Sequence, residues 1–175
     1  SLWDLLLVIR KKFDQYINLR PVKLLKGAPQ TLKGVSPEDI DMIFVRENTE
    51  GEYAGSGSWL YKGMPNEVVI QNGVFSRVGC ERVIRYAFEL AKKQGKSLTS
   101  ISKGNALNYS MVFWDQIFEE VGKEFDITSI YITFFNILRM VIFIVSTNWN
   151  DETTIINWSN LFFFFLYNFI FLWFK

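Results

Sequence analysis

The chain has 175 residues, 19 Lys and Arg against 18 Asp and Glu, and a formal net charge of +1. That balance excludes a polybasic nucleic-acid binder, and the lack of any His excludes His-based triads, His metal sites and His proton shuttles. A single Cys, Cys80, excludes an intramolecular disulfide and a CxxC motif, and it suits a reducing compartment, the cytoplasm first and the mitochondrion second.

The length allows one ordinary domain with a sizeable core, but not the two full domains that a cofactor-dependent enzyme usually needs. Nothing near Ser1 reads as a signal peptide, because Asp4 and Arg10 interrupt a short apolar run. Taken in chain order, Leu2–Phe13 carries Leu2, Leu5, Leu6, Ile9 and Phe13 at helical spacing, with Arg10, Lys11 and Lys12 near its end, where cations suit the helix dipole. Pro21 starts an extended run over Val22–Leu25, and Gly27, Pro29 and Gly34 mark a loop. Asp41–Arg46 reads as a short apolar strand. Thr49–Gly63, with four glycines, reads as a turn-rich excursion, and Glu67–Phe75 as a strand. Ser76 is the expected N-cap of a helix running to Gln94 and stopped by Gly95, with Val83, Tyr86, Ala87, Leu90 and Ala91 on one apolar face. Leu98–Ser102 is a third strand. Asn105–Phe125 is a second long helix with Met111, Trp114, Ile117, Phe118 and Val121 inward. Strand, helix, strand, helix argues for a layered α/β unit.

Composition breaks near Asp126. All 11 Gly and all 4 Pro lie before it, as do 33 of the 37 charges, whereas 10 of the 17 Phe lie after it. The expected division is therefore a folded 1–126 and a Phe-rich tail, 127–175, of uncertain structure. Two readings compete for the tail. In one it associates with a membrane: Ile127–Thr147 approaches spanning length with Arg139 as its lone charge, and Leu161–Phe174 suits an interfacial or buried segment. In the other, which is preferred, the tail was never selected to fold, because Phe, Ile, Asn, Leu, Tyr and Lys are what AT-rich codons specify on read-through or frameshift.

Three arginines stand at ends of elements: Arg10, Arg20 and Arg46. Arg suits two-point binding of carboxylates, and α/β proteins place ligands at strand ends. Tyr53, in a glycine-bracketed loop, could give or take a proton, and Lys103, expected at a helix start, could serve as a base. Taken singly, each is more ordinary as a surface or packed residue. Neither GxGxxG nor GxxxxGK[ST] occurs.

In order along the chain, SLWDLLLVIRKKFDQYINLRPVKLL, DIDMIFVRENTEGEYAGSGS, VFSRVGCERVIRYAFELA and LTSISKGNALNYSMVFWDQIFEEV resemble the isocitrate and isopropylmalate dehydrogenase family of β-decarboxylating dehydrogenases, nearest to its tartrate/D-malate branch. The resemblance covers about residues 1–126. It implies part of an isopropylmalate dehydrogenase-like layered α/β fold, and NAD-dependent oxidative decarboxylation of a dicarboxylic 2-hydroxy acid with Mg²⁺ or Mn²⁺, in a homodimer. It further implies that Arg10, Arg20 and Arg46 clamp substrate carboxylates, that Tyr53 protonates the enolate, that Lys103 acts on the hydroxyl proton across the dimer interface, and that Asn105 lies by substrate and nicotinamide. The chain departs from the family pattern in reading Lys103-Gly104-Asn105-Ala106 where Ser or Ala usually follows the lysine. It also lacks the metal-binding aspartates and the adenosine-binding loop. The expectation is thus an oxidoreductase fragment, inactive alone. The rival is a non-enzymatic carboxylate-binding or oligomerisation module with a membrane-associating tail.

Overall fold

Ser76 and Gly95 bracket the longest helix as their chemistry dictates. In this computed structural model, which describes residues 5–29, 36–133 and 142–146, helix α2 spans Arg77–Gln94. Ser76 is extended, with φ −95° and ψ 154°, and its Oγ accepts from Gly79 N–H at 3.0 Å. Gly95 closes the helix at φ +62°, a left-handed cap that most side chains resist. Ser76→Ala is expected to lower stability by about 1 kcal/mol, read as a shift in the urea midpoint without a change in slope.

The remaining elements are α1 (Leu7–Lys12), β1 (Ile17–Lys23), a 3-10 turn at Pro37–Asp39, β2 (Asp41–Glu47), β3 (Gly51–Leu60), β4 (Val68–Val74), β5 (Ser97–Ser102), α3 (Ser110–Gly122), β6 (Ser129–Thr133) and β7 (Ile142–Ser146). Five strands form one sheet in the order β1-β2-β7-β5-β6, in which only the β5/β6 pair is parallel. β3 and β4 form a separate antiparallel ribbon.

Several boundaries differ from expectation. β1 begins at Ile17 and carries Pro21 inside it. A proline is tolerated there because β1 pairs only with β2 and its other edge has no partner strand among the described residues. The excursion at Thr49–Gly63 is mostly strand β3. Gly57 lies where a Cβ would run into the Ile70 carbonyl oxygen of the partner strand, and Gly51 supplies φ +71° at the strand start. The second helix starts at Ser110, five residues later than expected, because Lys103–Tyr109 is spent in turns. Of the two apolar tail segments, the candidate span 127–147 carries β6 and β7 in its described parts, and the candidate interfacial or buried segment 161–174 lies outside the described residues. Among the described residues no helix is long and apolar enough to cross a membrane.

α2 and α3 lie against one face of the sheet. Their shared core contains Val45, Cys80, Val83, Ile84, Ala87, Phe88, Leu98, Trp114, Ile117 and Phe118. The α2 stripe is turned slightly from the expected one, so Ile84 and Phe88 are fully buried while Tyr86 and Leu90 are only partly so. Phe88 stacks on Phe125 at 5.0 Å and tilts against Phe118 at 5.1 Å. On the solvent side Arg85 bonds Glu81 and Glu124, and Arg77 bonds Glu120. These exposed pairs orient α2 against α3 but add little stability.

Candidate active site

The antiparallel register between β1 and β2 sets Arg46 opposite Asn18, and Arg20 opposite Phe44. Paired residues of an antiparallel ladder share a face, and so do residues two apart along a strand. Asn18, Arg20 and Arg46 therefore project from one side of the sheet, the side away from Val45 and the helices. Arg20 Nε donates to Asn18 Oδ1 at 3.1 Å. Burial lowers the pKa of the Arg20 guanidinium below the usual arginine value. The positive charges of Arg46 and then Arg10 lower it further, while Tyr53 opposes them. The Arg46 guanidinium lies 5.4 Å from the centre of the Tyr53 ring, and its Nε is buried without a hydrogen-bond partner among the described residues. Arg10, Arg20, Arg46 and Tyr53 thus form one neighbourhood at the junction of α1, β1, β2 and β3. Such an arrangement of mutually repelling cations has an obvious complement in an anion with more than one carboxylate.

Lys103 and Asn105 follow β5. β2 and β5 are each antiparallel to β7 and hence parallel to each other, and Arg46 and Ile101 share Ile142 as Cα partner. The C-terminal ends of β2 and β5 therefore lie on the same sheet edge, two strand spacings or about 10 Å apart. Lys103 stands seven residues before α3 rather than at its start, and its carbonyl accepts from Ala106 and Leu107 N–H at 3.0 and 2.9 Å. Asn105 is exposed. Among the described residues no hydrogen bond or ion pair engages the Lys103 ammonium, and none joins it or Asn105 to the arginine neighbourhood.

The turn around Lys103 is held from below. Gly104 N–H donates to Ser102 Oγ at 3.3 Å, and Ser102 Oγ donates to Asp115 Oδ2 at 2.8 Å. A Cβ on residue 104 would lie 2.7 Å from that same oxygen, so any larger residue there would oblige the Asp115 side chain to move. Burial raises the pKa of the Asp115 carboxyl above the usual carboxylate range, opposed by Ser102 and aided by Glu119, and its Oδ1 is buried without a partner. A raised folded-state pKa gives stability that is fully present below the unfolded carboxyl pKa and is lost as pH rises through the folded value. Asp115→Asn is expected to flatten that part of the stability-pH curve, measured by urea unfolding across the acid range.

Several residues that spacing did not single out hold the site in place. Asn48, 4% exposed, donates from Nδ2 to the Gln15 carbonyl at 2.9 Å and from its backbone N–H to the Tyr16 carbonyl at 3.0 Å. The Glu47 carboxylate accepts from Thr49 N–H, Thr49 Oγ1 and Glu50 N–H at 2.7–3.0 Å. Glu50 in turn accepts from Ser76 N–H at 2.8 Å and Ser76 Oγ at 2.6 Å. Residues 47–50 therefore act as the bracket that fixes Arg46 and Tyr53 to the start of α2. Cys80 takes no part in such chemistry, because burial pushes its thiol up to about 12.

Among the described residues no three Asp, Glu or Cys side chains gather closely enough to hold a metal ion, so these residues do not make up a hard-cation site. Of the β3 glycines, Gly51 packs against Phe75 and Gly57 against the Ile70 carbonyl, both serving strand geometry.

The geometry defines an α/β protein with a multi-arginine corner beside Tyr53. Comparison makes the class specific. The model of the isocitrate/isopropylmalate dehydrogenase family matches residues 4–162, and the chain belongs to that family. It is 51% identical over 126 residues to D-malate dehydrogenase [decarboxylating] of Escherichia coli K12, covering 71% of this chain and 35% of that relative. It is 44% identical over 126 residues to tartrate dehydrogenase/decarboxylase of Pseudomonas putida, covering 71% and 34%. Of solved structures, isocitrate dehydrogenase from Methylococcus capsulatus superposes with a TM-score of 0.61 at 28% identity, over 73% of this chain and 38% of that one. The TT0538 protein from Thermus thermophilus gives 0.63 at 32%, over 73% and 25%. The chain spans about a third of the length of the curated relatives it matches.

Proposed function

We propose that this chain carries the carboxylate-holding and proton-handling part of a dehydrogenase that oxidatively decarboxylates a dicarboxylic 2-hydroxy acid of the tartrate/D-malate kind, in a cytoplasmic setting. The observation behind this reading is the convergence of Arg10, Arg20 and Arg46 with Tyr53 beside the Arg46 guanidinium. Accepting hydride and polarising the hydroxyl oxygen are tasks of NAD and of Mg²⁺ or Mn²⁺, for which the described residues do not form sites. This chain's own residues take the other tasks. The arginines hold both carboxylates, Lys103 reaches across the dimer interface to take the hydroxyl proton in the partner subunit's pocket, Tyr53 returns a proton to the enolate carbon after CO₂ leaves, and Asn105 would face substrate and nicotinamide there.

A calorimetric titration tests the reading. The 175-residue chain is expected to bind D-malate or tartrate and to bind lactate, which lacks one carboxylate, at least 10-fold more weakly, since one charge-assisted contact is worth about 1.5–3 kcal/mol. NADH production by this chain alone, with NAD and Mg²⁺, is expected to be negligible. Failure to bind either diacid would refute the assignment.

The reading includes a homodimer, which the β3–β4 ribbon supports. Every β4 residue is exposed, Trp59 is 54% and Val69 58% exposed, and the ribbon pairs with no other strand among the described residues. A two-stranded ribbon is marginal by itself in water and gains by pairing with a second copy. Ile70→Glu is expected to shift the chain from dimer to monomer in analytical ultracentrifugation.

A further inference from the structure

Arg82 is a residue of α2 that touches none of the proposed substrate ligands, yet it joins the two segments that carry them. Its Nη1 donates to both Asp14 carboxylate oxygens at 2.9 and 2.8 Å, and its Nη2 donates to Thr49 Oγ1 at 3.0 Å. The guanidinium lies 4.4 Å from the centre of the Tyr16 ring. Its side chain is 29% exposed, and its Nε is buried without a partner among the described residues. One planar group therefore ties the chain leaving α1 to the β2–β3 turn.

What it ties matters. Asp14 lies one turn beyond Arg10 and has φ +44°, a left-handed conformation that a non-glycine residue keeps only when its surroundings enforce it. Gln15 N–H donates to the Arg10 carbonyl at 2.9 Å, so the backbone of Arg10 is bonded directly to the segment Arg82 holds. On the other side Thr49 Oγ1 donates to Glu47, which adjoins Arg46. Without ligand the three clamp guanidiniums repel one another, and α1, which is only six residues long, has little packing of its own to resist, with Leu7 its one buried side chain.

We infer that Arg82 is a positioning residue that holds the end of α1 against the β2–β3 turn and thereby sets how far Arg10 reaches into the carboxylate clamp. The inference rests on the reading of Arg10 as a clamp residue. It adds that the reach of that arginine is set from α2 through Asp14 and Thr49. A lysine at position 82 keeps the charge but cannot bond Asp14 and Thr49 from one rigid plane.

Two measurements on the 175-residue chain test this. In calorimetric titration with D-malate, Arg82→Lys is expected to weaken binding about 10-fold in the parent and less than twofold in an Arg10→Gln background, because the effect passes through Arg10. A purely structural role would weaken both equally, and that result overturns the inference. In amide hydrogen exchange, Arg82→Lys is expected to remove protection at Phe13, Gln15 and Tyr16 while leaving Ala87 to Ala91 in α2 unchanged. Unchanged protection at residues 13–16 overturns the inference as well. If the parent chain binds no D-malate, the diacid reading fails, and the exchange measurement alone decides whether Arg82 holds the end of α1.

Discussion

Trp114→Ala is expected to destabilise the protein by about 3–5 kcal/mol, the cost of removing a large buried aromatic from a core that closes only partly around the gap. Trp114 is fully buried, central to the cluster formed by α2, α3 and the sheet, and its indole N–H donates to Ser100 Oγ at 3.3 Å. Alanine therefore leaves both a cavity and a buried hydroxyl that has lost its donor, and the second loss adds to the first. Trp114→Phe should recover most of the packing but not the hydrogen bond, leaving a deficit of about 1 kcal/mol. Equilibrium urea unfolding of the two variants separates the terms. If Trp114→Ala unfolded at the parent midpoint, the helices would not pack on the sheet as described.

Arg46→Gln is expected to lower the affinity for a dicarboxylate by roughly 10- to 100-fold, because a charge-assisted contact is worth about 1.5–3 kcal/mol and a neutral amide replaces it poorly. Two further consequences make the effect specific. Arg46 contributes to the lowered pKa of Arg20, so its removal moves the Arg20 guanidinium back toward the ordinary arginine value. The buried Nε disappears with the guanidinium, so the fold itself is not expected to suffer, and the urea midpoint should hold or rise. Unchanged diacid affinity in Arg46→Gln would remove Arg46 from the clamp.

Legibility followed the range of the interactions. α2 was readable to the residue because Ser76 and Gly95 act on backbone groups within one turn of themselves. The inward face of α3 was readable because Met111, Trp114, Ile117, Phe118 and Val121 keep helical spacing, whereas its start was not, because Tyr109 offers no side-chain cap. β3 was hidden by Gly51, Gly55 and Gly57. These glycines read as turns but serve a strand that needs a positive φ at two points and a close cross-strand approach at the third. Arg10, Arg20, Arg46 and Tyr53 could be chosen from the ordered motifs of the family resemblance, but not from element ends: only Arg46 stands beside a strand terminus, while Arg20 lies in the middle of β1 and Tyr53 inside β3 rather than in a loop. The residues that hold them could not, because Arg82 meets Asp14 across 68 positions, Ser76 meets Glu50 across 26 and Asn48 meets Gln15 across 33. Nothing in local composition distinguishes such partners from ordinary surface polar residues.

The place of β7 has a kinetic consequence. It enters the sheet between β2 and β5 although it follows both in the chain, so residues near 42–46 and 97–101 share a partner that is synthesised only at 142–146. Until that segment emerges from the ribosome, β2 and β5 each present a bare inner edge, the kind of edge that recruits foreign strands. Contacts of such long sequence separation also slow the search for the native pairing. Nascent chains of this protein should therefore depend on chaperone holding late in synthesis, and any shortening that removes residues 142–146 should favour inclusion bodies over soluble monomer.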